Sequence, residues 1–305
     1  MNVRFLEAFV WVSKLGSFKG AADRLHTTQA GISSRISTLE EQFGVRLFDR
    51  EHRAVRLTYQ GSQLLPYAER MVELQTRMVG AIGKPEHLSG ILRIGVIETV
   101  VHTWLPDLLT RFSERYPNVT LELESDITPR LRDDLLRGVL DCTVTSEEMT
   151  PGFVENRRMA TFAMRWIASP AMAACLPPGR IAFAEIARHP IISFHRESSV
   201  YRNIAQHAGA CEADMRISYF SSMGAMIGLV RSGFGIALLP LAVVQDDLAN
   251  GSLMLLDVDP LPAPLPLVAS VRMEPALPLA EALMALADST CQAFMQRCRG
   301  DAFVT

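Results

Sequence analysis

Residues 21–44 read AADRLHTTQAGISSRISTLEEQFG, and their side chains suit holding another molecule better than transforming one. At about 100° per residue, Ile32, Ile36 and Leu39 share one inward stripe. That spacing turns Ala30, Ser33, Ser34 and Ser37 outward, with Gln29 beside them in the first turn. A solvated helix face is ordinarily rich in Lys and Glu, whereas this one is short-chained and hydroxylated. Such groups reach base edges without long flexible stems. Gln pairs bidentately with adenine, Ser bonds a base or a phosphate, and a helix capped by Thr28 presents backbone N–H groups to a phosphate. A polar helix in a small bundle would look the same. Residues 45–58, VRLFDREHRAVRLT, add two short apolar stretches around a charged loop, as a β-hairpin wing would, with Arg46, Arg50, Arg53 and Arg56 in or beside it. Guanidinium groups at a loop tip favour phosphates or a narrow minor groove.

A second set of candidate residues is dispersed along the chain. Thr99, Thr128, Ser146, the pair Ser198 and Ser199, and Ser221 after Phe220 each follow a strand-like apolar run. Open α/β folds bind ligands at the carboxyl ends of their strands, where helix N-termini present N–H groups. Each hydroxyl is equally suited to capping the helix that follows it. Convergence on one cleft is what would distinguish a binding site. Around these hydroxyls, Glu98 and Glu147 would suit a cationic effector, while His195 and Arg196 would suit a carboxylate. Solvated salt bridges account for the same four charges.

These groups need elements to position them. Phe5, Leu6, Phe9, Val10 and Val12 give an opening amphipathic helix; Ser17 caps a short second one, and His26-Thr27 turns into the third. From Thr58, a helical stretch repeats Leu64, Met71 and Met78 at sevens with Ala68, Gln75 and Ile82 between them, a heptad seam fit for a dimer linker. Pro66 predicts a bend or a later start of that helix. Beyond Gly90, strand-like and helix-like runs alternate (ILRIGVI, LPDLLTRFSERY, VTLELES, LRDDLLRG, VLDCTVT), which indicates a largely parallel sheet with crossover helices, and a similar set follows.

Residues 5–50, FLEAFVWVSKLGSFKGAADRLHTTQAGISSRISTLEEQFGVRLFDR, resemble the LysR-type transcriptional regulators. That family's pattern falls on Ala21-Ala22, Leu25, Gln29, Ser33, Ile36, Leu39-Glu40, Gly44, Leu47-Phe48 and Arg50. LRIG, RFSERYPNV, LRGVLD and VRSGFGIALLP extend the likeness over nearly the whole chain. The resemblance implies a winged helix-turn-helix at 1–58, a linker helix at 59–88 and an effector domain at 89–305, the last made of two Rossmann-like lobes similar to periplasmic binding proteins, lobe 1 at about 89–162 and 268–305 and lobe 2 at about 163–267. It also implies a third helix in the DNA major groove, a wing arginine in the minor groove, and a homodimer or homotetramer. Carried onto this sequence, the DNA contacts fall to Gln29, Ser33 and Arg53, within a candidate face of Thr28, Gln29, Ala30, Ser33, Ser34, Arg35, Ser37, Arg50 and Arg53. The candidate effector residues are Glu98, Thr99, Thr128, Ser146, His195, Ser198, Ser199, Phe220 and Ser221. Two positions depart from the pattern: Ser34 stands where a long basic residue is frequent, and Gly31 sits inside the recognition helix.

Composition is consistent with this division. The chain has 305 residues, 49% hydrophobic and 21% charged, with net charge -3, enough for two or three domains. Residues 1–89 hold 12 basic against 9 acidic side chains and the remainder 18 against 24, a basic head on an acidic body. The opening residues, with Glu7 inside the apolar stretch, do not form a signal peptide, and no uncharged apolar run approaches the ~18 residues of a membrane span. A cytoplasmic protein is expected. Five cysteines without a CxxC pair indicate neither a disulfide framework nor a zinc site. A redox switch using Cys175 and Cys211 is one alternative to effector sensing. A transport-type binding protein is another, but it would need an export signal and leaves residues 1–89 without a role. GxSxG, HExxH and GxxxxGK[ST] are all absent from the sequence, so no enzyme is expected. The expectation is a DNA-binding regulator with a small-molecule co-inducer, no resident cofactor, double-stranded DNA as partner, and RNA polymerase as a candidate partner.

Overall fold

A computed structural model describes residues 2–49, 55–82, 88, 90–150, 152–211, 215–273, 277–298 and 302–304, without the side chains of 73, 76–82 and 210–211. The head consists of helices α1 (Val3–Leu15), α2 (Phe18–Arg24) and α3 (Gln29–Phe43) and a two-stranded wing, β1 (Phe48–Asp49) and β2 (Arg56–Leu57). Phe48 pairs with Leu57 across the wing, and its ring meets Phe9 at 5.4 Å and Phe18 at 5.7 Å between centroids. Both predicted caps are made: Gly20 N–H donates to Ser17 Oγ and Gly31 N–H to Thr28 Oγ1, each at 3.0 Å. The Glu40 carboxylate accepts from Leu47 N–H at 2.7 Å and Phe48 N–H at 3.4 Å, fixing the chain where it leaves α3 for the wing.

Helix α4 (Tyr59–Ile82) is capped by Thr58, whose Oγ1 accepts from Gly61 N–H at 3.0 Å. Pro66 lies inside it, so the later start does not occur. A proline in the helix interior forfeits one hydrogen bond, and packing of α4 on α1 maintains the helix there, with Lys14 and Glu69 paired at 3.1 Å. That packing also reassigns Ala68. It is fully buried with Val72 in the head core, so it is absent from any exposed seam. Among the described side chains the exposed apolar stripe is Tyr67, Met71 and Leu74 (67, 39 and 59% exposed), of which Met71 belongs to the heptad series read from sequence; the side chains of Met78 and Ile82 lie outside the described residues.

The body begins with β3 (Gly90–Val96), α5 (Glu98–Val101), α6 (Leu105–Arg115), β4 (Val119–Ser125), α7 (Thr128–Arg137), β5 (Cys142–Thr145) and β6 (Val154–Phe162). The chain then crosses into β7 (Met164–Ala168), α8 (Pro170–Ala173), β8 (Ile181–Ala182), α9 (Phe183–Ile186), β9 (Ile191–Ser193), α10 (Ser199–Cys211) and β10 (Ile217–Tyr219). The second unit closes with α11 (Met223–Arg231), β11 (Ile236–Pro240), α12 (Gln245–Ala249), β12 (Met254–Leu256) and β13 (Val258–Asp259), and the chain returns through β14 (Leu265–Arg272) and α13 (Pro278–Arg297). Two five-stranded sheets result, ordered β4-β3-β5-β14-β6 and β10-β9-β11-β7-β12. Each has a parallel half and an antiparallel half, the latter made by the crossing strands. Because β14 pairs with β6 from Leu265 onward, residues 265–267 lie in the first sheet, three residues ahead of the lobe boundary read from sequence.

Candidate functional site

The first candidate surface is the outer face of α3. Thr28, Gln29, Ala30, Ser33 and Ser34 are exposed, and Ser37 is half-buried. Arg35 is also half-buried and lies toward α1, where its charge, with those of Arg24 and Arg4, opposes the burial that pushes the Glu7 carboxyl up. It is thus partly committed to the head. Arg50 and Arg53, the wing candidates, lie outside the described residues. Gly31 gains a structural reason: a Cβ there would stand 2.8 Å from Thr27 Oγ1 and 3.3 Å from Thr28 Oγ1, so the capping turn requires a glycine. That gain offsets the ~1 kcal/mol that glycine costs in a helix.

The second surface is a cleft between the two sheets, with a volume of about 220 Å³. From lobe 1 come Glu98 and Thr99 at the start of α5, Thr128 at the start of α7, and Ser146 just after β5. From lobe 2 come His195, Ser198 and Ser199 ahead of and at the start of α10, and Phe220 and Ser221 ahead of α11. All nine sequence candidates line this one cavity. The reason is topological: each follows the carboxyl end of a strand, and the two sheets turn those ends toward each other.

The hydroxyls form a connected set. Ser146 Oγ lies 2.9 Å from Thr128 Oγ1 and 3.1 Å from Ser199 Oγ, so the contact spans the lobes. Ser146 N–H also donates to Thr128 Oγ1 at 3.2 Å, and Ser198 Oγ caps α10 by accepting from Tyr201 N–H at 3.1 Å. The capping role therefore holds for Ser198, whereas Ser146 and Ser199 bond each other. Glu98 is engaged as well. One carboxylate oxygen accepts from Met223 N–H at the start of α11 at 2.9 Å, the other from Ser125 Oγ at 3.2 Å, and His102 lies 3.4 Å away. Glu147 and Arg202 form a further ion pair across the cleft mouth. Arg196 lies over the Tyr219 ring and donates to its hydroxyl, beside the cavity and not among its lining residues.

Sequence reasoning missed the apolar walls, Ile97, Ile127, Phe194, Val200 and Leu265, and the paired Asp126 and Arg130 at 3.2 Å. The signal for several was present, since Ile97, Ile127 and Phe194 directly precede the candidates Glu98, Thr128 and His195. Of the cysteines, burial pushes the Cys142 thiol well up and Cys291 up to about 12; Cys175 is exposed, and the Cys211 side chain lies outside the described residues. Among the described residues no cluster of metal-binding side chains occurs, and no helix is long and apolar enough to cross a membrane.

Comparison with known proteins covers both halves of the chain. Residues 3–62 match the family "Bacterial regulatory helix-turn-helix protein, lysR family", and residues 85–292 match the "LysR substrate binding domain". The Bacillus subtilis HTH-type transcriptional regulator YusT, itself uncharacterized, is 31% identical over 258 residues, 82% of each chain. The regulator GltR of the same organism is 27% identical over 266 residues, 82% of this chain and 83% of that one. Among solved structures, ArgP from Mycobacterium tuberculosis superposes with a TM-score of 0.69 at 21% identity, covering 95% of this chain and 97% of that one. Full-length LysG from Corynebacterium glutamicum with bound effector arginine gives 0.63 at 24% identity, covering 98% and 100%. With both halves matched and the fold shared along the chain, the protein belongs to the LysR family of transcriptional regulators.

Proposed function

We propose that this regulator reads DNA with Thr28, Gln29, Ala30, Ser33, Ser34 and Ser37, supported on the backbone by Arg35, Arg50 and Arg53. In the same reading it senses a small molecule held by Glu98, Thr99, Thr128, Ser146, His195, Ser198, Ser199, Phe220 and Ser221. The observation that carries the sensing half is the convergence of these nine residues, from both lobes, on one cavity of about 220 Å³. A ligand touching Thr99 and Ser199 together contacts both lobes and so biases their closure, as differential affinity for the two states requires. The chemistry of the lining favours an effector with a carboxylate or similar anion, because hydroxyl donors and the N-termini of α7 and α10 meet there. Glu98 is already held by Met223 N–H and Ser125, so besides facing the ligand it ties the lobes together. It does not serve as an open site for an amine.

Assembly follows from α4, whose exposed Tyr67, Met71 and Leu74 repeat at 4 and 3 residues as a two-stranded seam requires. Further contacts between bodies would make a tetramer. The molecule is a binding protein without catalysis or resident cofactor and works in the cytoplasm on double-stranded DNA, where RNA polymerase is its prospective partner. The domains divide as head 1–58, linker 59–88 and body 89–305. The test is a thermal-shift screen of small carboxylates against the protein, since a ligand that binds the folded form raises its midpoint.

A further inference from the structure

Head and body of one chain meet through an ion pair that belongs to neither surface described above. Arg24, the last residue of α2, reaches the carboxylate of Asp141, just before β5, with side chains 9% and 2% exposed. The guanidinium of Arg24 also lies over the Trp11 ring, 4.6 Å from its centroid. Asp141 accepts from Arg93 N–H in β3 at 2.8 Å, while the Arg93 side chain pairs with Glu122 at 2.7 Å and lies 3.2 Å from His26 Nε2. Beneath them Gly138, with φ of +75°, admits the indole: a Cβ there would stand 2.8 Å from Trp11 and collide with the Arg272 guanidinium. Arg272 in turn donates to the carbonyls of Leu135 and Leu136, the end of α7. Two charges withdrawn from water this far need each other, and removing one leaves the other buried without its counter-ion.

The same elements end in the effector cleft. Strand β3 carries Arg93 and leads to Glu98; Asp141 precedes β5, which leads to Ser146; α7 starts at Thr128 and ends at Gly138. At about 3.3 Å per strand residue and 1.5 Å per helix residue, each route is about 15 to 17 Å long. Strand β14 makes a longer fourth link, from Leu265 in the cleft to Arg272 at the contact. On the head side, His26, Thr27 and Thr28, the turn and cap of the recognition helix, line the gap that faces Arg93 and Glu122. DNA phosphates approaching the start of α3 would therefore meet the carboxylate-bearing edge strand β4, which carries Glu122 and Glu124.

We propose that the Arg24–Asp141 pair, seated with Trp11 on Gly138, is an intramolecular latch that holds the head against lobe 1 in a state that binds DNA weakly. Its far side is the effector cleft, so lobe movement shifts the balance between docked and released heads. Coupling of this kind needs a two-state element that both sites bias, and the docked or released head supplies it. The inference rests on the DNA-reading role of α3 and on the cleft as the sensing site.

The test compares the wild-type full chain with Asp141→Asn, which keeps the shape and an acceptor for Arg93 N–H, and with Arg24→Gln, which breaks the pair from the head side. Two measurements are made without effector: affinity for a random 40-base-pair duplex by fluorescence anisotropy, and the tryptophan emission maximum. The chain has three tryptophans, and Trp104 and Trp166 are buried in the body, so a change in emission reports Trp11 at the head contact. Each variant is expected to bind the duplex about tenfold more tightly, with emission shifted to the red. Unchanged or weaker binding by both variants, with the wild type still binding, would overturn the latch. So would tighter binding with unmoved emission in both. If neither wild type nor variants bind duplex DNA, the DNA-reading role itself is wrong and the latch falls with it. Should Asp141→Asn not fold, Arg24→Gln decides alone.

Discussion

At the scale of single residues, the two functional surfaces differ in what a substitution should do. Gln29 is exposed at the start of α3, on the face proposed to read DNA. Gln29→Ala should weaken binding to the cognate operator by about 1 to 3 kcal/mol while leaving random duplex DNA nearly unaffected, measured by parallel titrations on both. Equal losses on the two DNAs would assign Gln29 to backbone contact. Thr99 is buried where β3 gives way to α5, lining the cleft. Thr99→Val preserves its shape and deletes one hydrogen bond, a loss of ~0.5 to 1.5 kcal/mol, so the effector concentration for half response should rise about 2- to 12-fold. A response with an unmoved midpoint would take the ligand away from this hydroxyl. Both residues are legible in the sequence, because polar groups at fixed offsets from an apolar stripe or a strand end leave few places to point. Arg24 is not. Its partner Asp141 is 117 positions away, and nothing in local spacing marks a basic residue at a helix end as half of a buried pair.

At the scale of elements, periodicity locates α4 and its exposed Met71 but misplaces Ala68. The heptad read from sequence puts Ala68 in the dimer seam, yet Ala68 is sealed against α1 and the exposed stripe runs through Tyr67, Met71 and Leu74. A helix with apolar residues on two sides satisfies more than one register, and the choice is made by the head core that α4 must cover. The wing and the recognition helix need no such arbitration, since Glu40 ties α3 to Leu47 and Phe48 through short, local bonds. If the revised stripe is the seam, Met71→Asp combined with Leu74→Asp places two charges in it and should halve the mass of the full-length particle by light scattering. A particle of unchanged mass would move the dimer contact off α4.

At the scale of the whole molecule, regulation requires that a small ligand in the body alter what the head does. Strand alternation in the sequence marks the hydroxyls at strand ends, and the family resemblance supplies the two lobes that carry them. It does not show that the cleft walls are made by Ile127, Phe194 and Leu265, because burial of a lone apolar residue depends on which lobe closes over it. The lobes are tied across the cleft by Glu98 to Met223 N–H, by Ser146 to Ser199, and by Glu147 to Arg202, so an effector must enter a site that already has bridging contacts and replace or extend them. The most direct measurement takes a small carboxylate that changes operator binding and records the thermal unfolding midpoint with and without it, for the wild-type chain and for Ser146→Ala. At a hundredfold excess over its dissociation constant the ligand contributes about 2.7 kcal/mol. The wild-type midpoint should then rise by several degrees. In Ser146→Ala the rise should be much reduced, because the hydroxyl that joins Thr128 to Ser199 is gone. An equal rise in both proteins would contradict effector binding in this cleft.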